Sequence, residues 1–150
     1  AECFSLVAFV FMPEHVHLLV CPGSAEAKVS RLLARTKQPF SKQIRQNLEA
    51  LQSPLLNELT VIERPGKTCF RFWQEGAGFD RNLFSTAAIA ASIDYIHANP
   101  VKRRLCQRAT DFQWSSARFH ELGIVDQQLP KLIRPDPGWF HYTGIQTEFG

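Results

Sequence analysis

The stretch FMPEHVHLLV, Phe11–Val20, decides how the chain around it folds. Met12-Pro13-Glu14 interrupts an apolar run and predicts a turn that leads into a strand. Side chains alternate between the two faces of a strand, so His15 and His17 are expected on one face at the strand start. Two imidazoles side by side on a rigid strand form half of a metal site. The alternative interpretation is two polar side chains on a solvated sheet face.

The segment before this turn, Phe4–Phe11, is apolar and contains no charged residue. It predicts a strand that is buried on both faces. Because the turn is short, the two strands are expected to pair antiparallel, and Cys21-Pro22-Gly23 ends the second strand. The sequence opens at Ala1, without a methionine, and enters this strand at once. We therefore expect that an N-terminal segment is missing.

Composition indicates a globular protein with one core, since the 150 residues are 45% hydrophobic and 21% charged. The longest apolar run, Leu6–Met12, is too short to span a membrane, and no secretory signal pattern is present. We therefore predict a cytoplasmic protein without a membrane partner.

Its 4 cysteines are scattered without a C-x-x-C pair. That spacing disfavours a structural zinc site and fits reduced thiols.

A basic helix is predicted after the second strand, with Ser24 as its cap and a kink or break at Pro39. The segment from 28 to 45 carries basic residues and no acidic one. Lys28, Arg31 and Arg35 recur at helical spacing on one face. A solvated helix face is the ordinary interpretation of such a row. The absence of acidic partners favours phosphate contact instead.

The next segments predict a surface connection over 52–67, a third strand at Cys69–Trp73 and a flexible loop at Glu75–Phe79. Ser85 is expected to cap a second helix, from Thr86 to about Ala98. Asn99-Pro100 is expected to end that helix, because a residue before proline avoids the helical region.

Tyr95 and Asn99 lie one turn apart on the flank of this second helix. The residues near Tyr95 on that flank are small, which leaves room for a ligand, although a tyrosine that fills a gap is the simpler interpretation. The amide of Asn99, at the predicted helix end, would be free to point away from the helix. A basic cluster, Lys102-Arg103-Arg104, follows.

The order strand, strand, helix, strand, helix predicts a ferredoxin-like α+β fold, with an antiparallel sheet and helices on one face. The first strand and helix of that fold are expected to be missing from this chain. We predict one domain over 1–120 and an irregular tail, 121–150, packed on it.

Two motifs taken together, Met12–His17 and Asp94–Val101, resemble the REP-associated tyrosine transposases, relatives of the single-tyrosine HUH transposases. HUH denotes histidine, hydrophobic residue, histidine, and His15-Val16-His17 fits it. Phe72–Gln74, Asp80–Asn82 and Trp114–Ser116 also follow the family's order. The resemblance covers roughly residues 4 to 120.

The resemblance implies an enzyme that cleaves and rejoins single-stranded or hairpin DNA. His15 and His17 would bind Mg²⁺ or Mn²⁺, with Asn99 in the position of a third ligand. Tyr95 would attack phosphorus and give a 5′-phosphotyrosine link with a free 3′-hydroxyl. The basic residues expected to follow the DNA backbone are Lys28, Arg31, Arg35, Lys102, Arg103 and Arg104.

Several alternatives stay open at this point. The chain could be a binding module for structured single-stranded nucleic acid without chemistry, or a metal-binding α+β protein unconnected with nucleic acid. Trp73 or Trp114 could stack on bases, although packing roles suit both. Glu14 could tune the histidine site or cap the turn, and the turn is the role that we favour. Relatives include homodimers and monomers.

Overall fold

The computed structural model describes residues 4–74, 80–136 and 138–139 of the chain. These form two compact units. The first unit comprises the described parts of Ala1–Ala25 and Asn82–Gly150, and the second unit comprises those of Glu26–Arg81. The elements in chain order are β1 (Phe4–Phe11), β2 (Val16–Pro22), α1 (Val29–Ala50), α2 (Leu55–Glu58), β3 (Thr60–Arg64), β4 (Lys67–Phe70), α3 (Thr86–Lys102), a 3-10 turn (Ala109–Asp111) and α4 (Ala117–Leu122).

The fold class is α+β, as predicted, with two antiparallel sheets and helices packed on them, consistent with a ferredoxin-like fold. The predicted boundary between a domain over 1–120 and a tail over 121–150 stays a prediction. No helix within the described residues is long and apolar enough to cross a membrane. The cysteines that the structure describes, Cys21, Cys69 and Cys106, are free thiols, and Cys3 lies outside the described residues.

Strand β1 runs through the middle of the first unit. It pairs antiparallel with β2, as predicted, and the backbone N–H of Met12 donates to the carbonyl of His15 at 2.9 Å to close the turn. On its other edge, Phe11 N–H donates to the Trp114 carbonyl at 2.9 Å and Leu6 forms a bridge with Leu132. Val7–Val10 are all buried, and because successive side chains alternate between the two faces, this part of the strand is buried on both faces, as predicted.

Helix α3 packs its apolar side on this sheet. Ile96 joins Ala8, Val10 and Met12 in the core of the unit. The predicted cap is confirmed, since the Ser85 hydroxyl accepts the backbone N–H of Ala88 at 3.1 Å.

The predicted end of α3 at Asn99-Pro100 is wrong, because the helix continues to Lys102. Proline at position 100 removes one hydrogen bond in the final turn and clashes with the carbonyl four residues earlier. Pro100 and Ile96 are both buried in the core, and this packing holds the last turn helical despite the proline. The preference of the residue before a proline for non-helical backbone is therefore overridden here by the burial of Pro100.

The second unit contains α1, which begins one residue after Lys28 and not at a cap on Ser24. That prediction was wrong. Pro39 lies inside the helix without dividing it. The segment predicted as a surface connection, 52–67, instead holds α2, β3 and the turn into β4. Gly66 adopts a φ of 79° at this turn, a value that favours glycine.

The bounds predicted for the third strand, Cys69–Trp73, are wrong: β4 begins earlier, at Lys67, ends at Phe70 and pairs with β3. Phe72 and Trp73 follow as a non-strand segment whose rings contact Phe40 of α1. The Trp73 indole also donates to the Lys37 carbonyl at 3.1 Å, so this tryptophan has a packing role. The predicted loop at Glu75–Phe79 lies outside the described residues.

Candidate functional site

The structure brings His15 and His17 together at the start of β2. Their Nε2 atoms lie 3.1 Å apart, and the ring centroids are separated by 4.7 Å in an edge-on arrangement. His15 stands just before the first residue of β2, so the turn and the strand each supply one ring. Both side chains are partly buried.

The spacing of the two nitrogens fits ligands of a single cation. Nitrogen ligands lie about 2.1 Å from a bound transition metal, and two such ligands at right angles lie roughly 3 Å apart. Partial burial, and secondarily the nearby His15, lower the pKa of His17 below its ordinary value of 6.5. His17 is therefore neutral at physiological pH, which is the form of imidazole that coordinates metals.

Tyr95 stands beside this pair. Its ring centroid lies 5.5 Å from that of His17, and its side chain is 51% exposed. A tyrosine that filled a packing gap would be buried, so the exposure contradicts that interpretation. The ammonium of Lys102 lies 5.1 Å from the centre of the Tyr95 ring, within range for a cation–π contact.

Asn99 lies inside α3, and its amide is not free as the predicted helix end implied. The Nδ2 atom donates to the backbone carbonyl of Tyr95 at 2.8 Å, and the residue is buried. This hydrogen bond fixes the amide next to the tyrosine. It leaves Oδ1 as the atom of Asn99 that is chemically suited to a cation.

Glu14 joins the two segments of the candidate site. Its Oε1 accepts a hydrogen bond from Nη2 of Arg103 and lies 3.5 Å from Nδ1 of His15. A carboxylate beside the second nitrogen of a histidine favours the tautomer that presents Nε2 to a ligand. The role of Glu14 therefore extends beyond the turn.

The remaining predicted DNA-contacting residues lie in different parts of the chain. Arg103 and Arg104 follow directly from α3, and Arg104 has a left-handed φ of 58°. Lys28, Arg31 and Arg35 belong to the second unit, on α1 or at its N-cap.

A buried histidine network, which the sequence did not predict, lies behind β1. The Ser116 hydroxyl hydrogen-bonds with Nε2 of His97 at 2.8 Å and accepts the backbone N–H of Phe9 at 2.9 Å. His120 Nε2 reaches the carbonyl of Val7 at 2.8 Å. These contacts tie α3 and α4 to the strand that leads into the histidine pair. The sequence motifs Asp94–Val101, which contains His97, and Trp114–Ser116 both contribute to this network, but nothing in the sequence connected them.

No group of three or more histidine, cysteine or carboxylate side chains within the described ranges is arranged to hold a metal ion. Any cation site at β2 would therefore depend on the His15–His17 pair together with another donor type. The amide oxygen of Asn99 is the donor that the sequence resemblance implied.

Comparison with known proteins gives one informative similarity. The chain is 27% identical over 119 residues to a protein of Haemophilus influenzae that is named a candidate REP-associated tyrosine transposase. The match covers 78% of this chain and 60% of the relative. The chain thus spans about three fifths of the length of that protein. No known family profile matches the chain, and no solved structure matches it.

Proposed function

We propose that this chain cleaves and rejoins strands of single-stranded or hairpin DNA through Tyr95, with a divalent cation held by His15, His17 and Asn99. The observation that carries the proposal is the approach of the Tyr95 ring to 5.5 Å from His17, whose Nε2 lies 3.1 Å from that of His15. The similarity to a candidate transposase supports DNA as the substrate.

The proposed chemistry is a transesterification. The Tyr95 oxygen attacks the scissile phosphorus and loses its proton, while the bond from phosphorus to the 3′-oxygen breaks and that oxygen leaves as a hydroxyl. The product is a 5′-phosphotyrosine link, and attack by a 3′-hydroxyl reverses the step. When bound, a divalent cation supplies charge neutralisation at the phosphate.

The residues of this chain provide the positioning. Tyr95 is exposed on α3, so its hydroxyl is accessible to a strand in solvent. Lys102 adds a positive charge beside the ring, where a phosphate would approach. Glu14 and Arg103 hold the turn that carries His15. Holding reactants in this way contributes much of the rate in phosphoryl transfer.

A labelled-adduct experiment tests the proposal. Hairpin DNA with unpaired tails is incubated with the protein and Mn²⁺, and products are separated on a denaturing gel. A 5′-phosphotyrosine link predicts that 3′-labelled DNA migrates with the protein and that 5′-labelled DNA is released. Tyr95→Phe and chelation of the metal should abolish the adduct. Tyr142→Phe, which removes the other tyrosine of the chain, should not.

The choice of metal is a second readout of the same experiment. Imidazole and amide donors suit borderline cations better than hard ones, so the adduct yield is expected to be higher with Mn²⁺ than with Mg²⁺. A higher yield with Mg²⁺ alone would contradict the proposed donor set.

A binding module without chemistry is the second candidate. The described part of the chain holds no group of three histidine, cysteine or carboxylate side chains able to bind a metal, and a module that binds DNA without chemistry does not need one. Tight binding of hairpin DNA without an adduct in Mn²⁺ or Mg²⁺ would leave this candidate and exclude the enzyme.

A further inference from the structure

An apolar hollow of about 540 Å³ opens on the first unit. The hollow is shallow and largely open to solvent, a shape that suits one flat face of a ligand. Met12 is buried, whereas Leu105 and Trp114 are about half exposed, at 46% and 50%. The residues that line it are Phe11, Met12, Pro13, Leu105, Phe112 and Trp114.

The hollow is continuous along the chain with the candidate site. Met12 and Pro13 directly precede Glu14, and Leu105 directly follows the Lys102–Arg104 cluster. The hydrogen bond between Glu14 and Arg103 joins these two segments. The turn that carries His15 and the end of the helix that carries Tyr95 therefore both contribute residues to the lining.

The turn after α3 places Leu105 at this hollow. Arg104 adopts a left-handed φ of 58°, and the Leu105 N–H donates to the Pro100 carbonyl at 2.9 Å. A left-handed conformation is costly for a residue with a Cβ. Arg104 therefore keeps a backbone conformation that glycine would adopt at a lower energy. Its positive charge directly precedes the exposed Leu105 in the chain.

The positive charges near the hollow and its apolar lining together indicate what kind of ligand it binds. Proteins that bind unpaired nucleic acid combine cations for the backbone with aromatic side chains on which bases stack. Here the cations of the Lys102–Arg104 cluster precede Leu105, and Trp114 presents a half-exposed indole in the hollow. A base has an apolar face that suits this lining.

We propose that the hollow receives one unpaired base of the DNA strand, stacked on Trp114, and thereby fixes the register of the strand on the protein. This inference rests on the proposed function and adds a base-binding site to it. The phosphates that flank the bound base would face Arg103 and Arg104.

A scan with abasic nucleotides tests the proposal. A hairpin DNA with unpaired tails, selected as the strongest binder from a randomised pool, is resynthesised with a single abasic position moved along each tail. Affinities are measured for the wild type, Trp114→Ala, Trp114→Phe and the control Trp139→Ala. The Trp114 carbonyl holds Phe11 through the backbone, so replacing the side chain preserves that bond. Thermal melting verifies the fold of each variant.

The expected result is a loss of about tenfold in affinity for Trp114→Ala, from loss of one stacking contact, with partial recovery in Trp114→Phe. One abasic position should cause the same loss in the wild type and no further loss in Trp114→Ala. In a Trp73→Phe/Trp139→Phe protein, which retains Trp114 as the single tryptophan, DNA should quench the fluorescence.

An abasic profile that is identical in the wild type and Trp114→Ala overturns the proposal, and so does equal affinity of the two proteins. If Tyr95 still forms the adduct in that case, the strand-transfer chemistry stands and only the base site fails. If the Trp114 dependence is found without any Tyr95 adduct, the base site stands and the chemistry fails. A wild type that binds no unpaired DNA overturns both.

Discussion

Glu14 shows how a single side chain links the turn, the helix end and a candidate ligand. It contacts Nδ1 of His15 at 3.5 Å and accepts a hydrogen bond from Arg103. Sequence alone favoured a turn role, because the position of Arg103 next to Glu14 depends on a contact between residues 89 positions apart. Its electrostatic role becomes visible only in three dimensions.

Replacing Glu14 by Gln should weaken Mn²⁺ binding about tenfold or more, since carboxylates behind ligating histidines typically contribute that much to affinity. Calorimetric titration of the protein with Mn²⁺ measures the change. Glu121→Gln, on α4, removes an exposed carboxylate elsewhere and is the matched control. Equal Mn²⁺ affinity in the wild type and Glu14→Gln would contradict the orienting role.

Arg104 carries a conformational cost at a position suited to glycine. Arg104→Gly should be about 1 kcal/mol more stable than Arg104→Ala, because only glycine adopts the left-handed region without a Cβ penalty. Both variants lose the same charge, so both should bind hairpin DNA more weakly than the wild type. Urea denaturation and equilibrium binding measure the two effects. Equal stability of the glycine and alanine variants would contradict the strain.

At the scale of elements, the sequence predicted correctly those features that depend on neighbouring residues in the chain. The bounds of β1 and the cap at Ser85 follow from an uncharged apolar run and from a hydroxyl before a helical period, and both are confirmed. The last turn of α3 was missed because it depends on burial of Pro100. The β3–β4 hairpin was missed because Pro65-Gly66 indicated a loop, while short two-stranded pairing leaves little periodicity.

The histidine network behind β1 was beyond prediction for a different reason. Ser116 and Phe9 are 107 positions apart, and no periodicity connects them. Through this bond and the contact with His97, α3 is held against the strand that leads into the histidine pair. The relative placement of Tyr95 and His17 thus depends on long-range contacts that no local motif encodes.

This network makes stability depend on pH. Burial, and then the neighbouring His120, lower the pKa of His97 to about 4 from 6.5, partly offset by Asp94. The folded state therefore favours neutral His97. The resulting stabilisation is complete above about pH 6.5 and is lost as the pH falls towards 4, by up to about 3 kcal/mol.

Urea denaturation between pH 7.5 and pH 4.5 measures this loss. A His97→Gln protein should show a shallower decline in its free energy of unfolding over the same range, because it lacks the titrating group. His15→Gln is the control, because it removes a histidine that belongs to the candidate site and not to this network. Identical pH dependence in the wild type and His97→Gln would contradict the assignment.

At the scale of the whole molecule, the candidate site lies in the first unit, while many of the basic residues lie in the second. The predicted α+β class is confirmed, and the His15, His17 and Tyr95 rings converge. The discontinuity of the first unit was not anticipated, since chain order does not reveal that the residues 26–81 pack among themselves.

The second unit should contribute to DNA affinity if the basic face of α1 contacts phosphates. Arg35→Gln should weaken hairpin binding and reduce the slope of log affinity against log salt by about 1. Arg45 forms an ion pair with Glu49 at 2.8 Å, so Arg45→Gln is the matched control, with a smaller effect. Equal salt slopes for the wild type and Arg35→Gln would contradict phosphate contact at this residue.

The most direct test of the central claim is to locate the covalent link between protein and DNA. The protein is reacted with hairpin DNA and Mn²⁺, digested with protease and nuclease, and analysed by tandem mass spectrometry. We predict a nucleotide joined through its 5′-phosphate to the peptide that contains Tyr95. A nucleotide on Tyr142 or on any other residue, or no modified peptide from protein that binds the DNA, would contradict Tyr95 as the nucleophile.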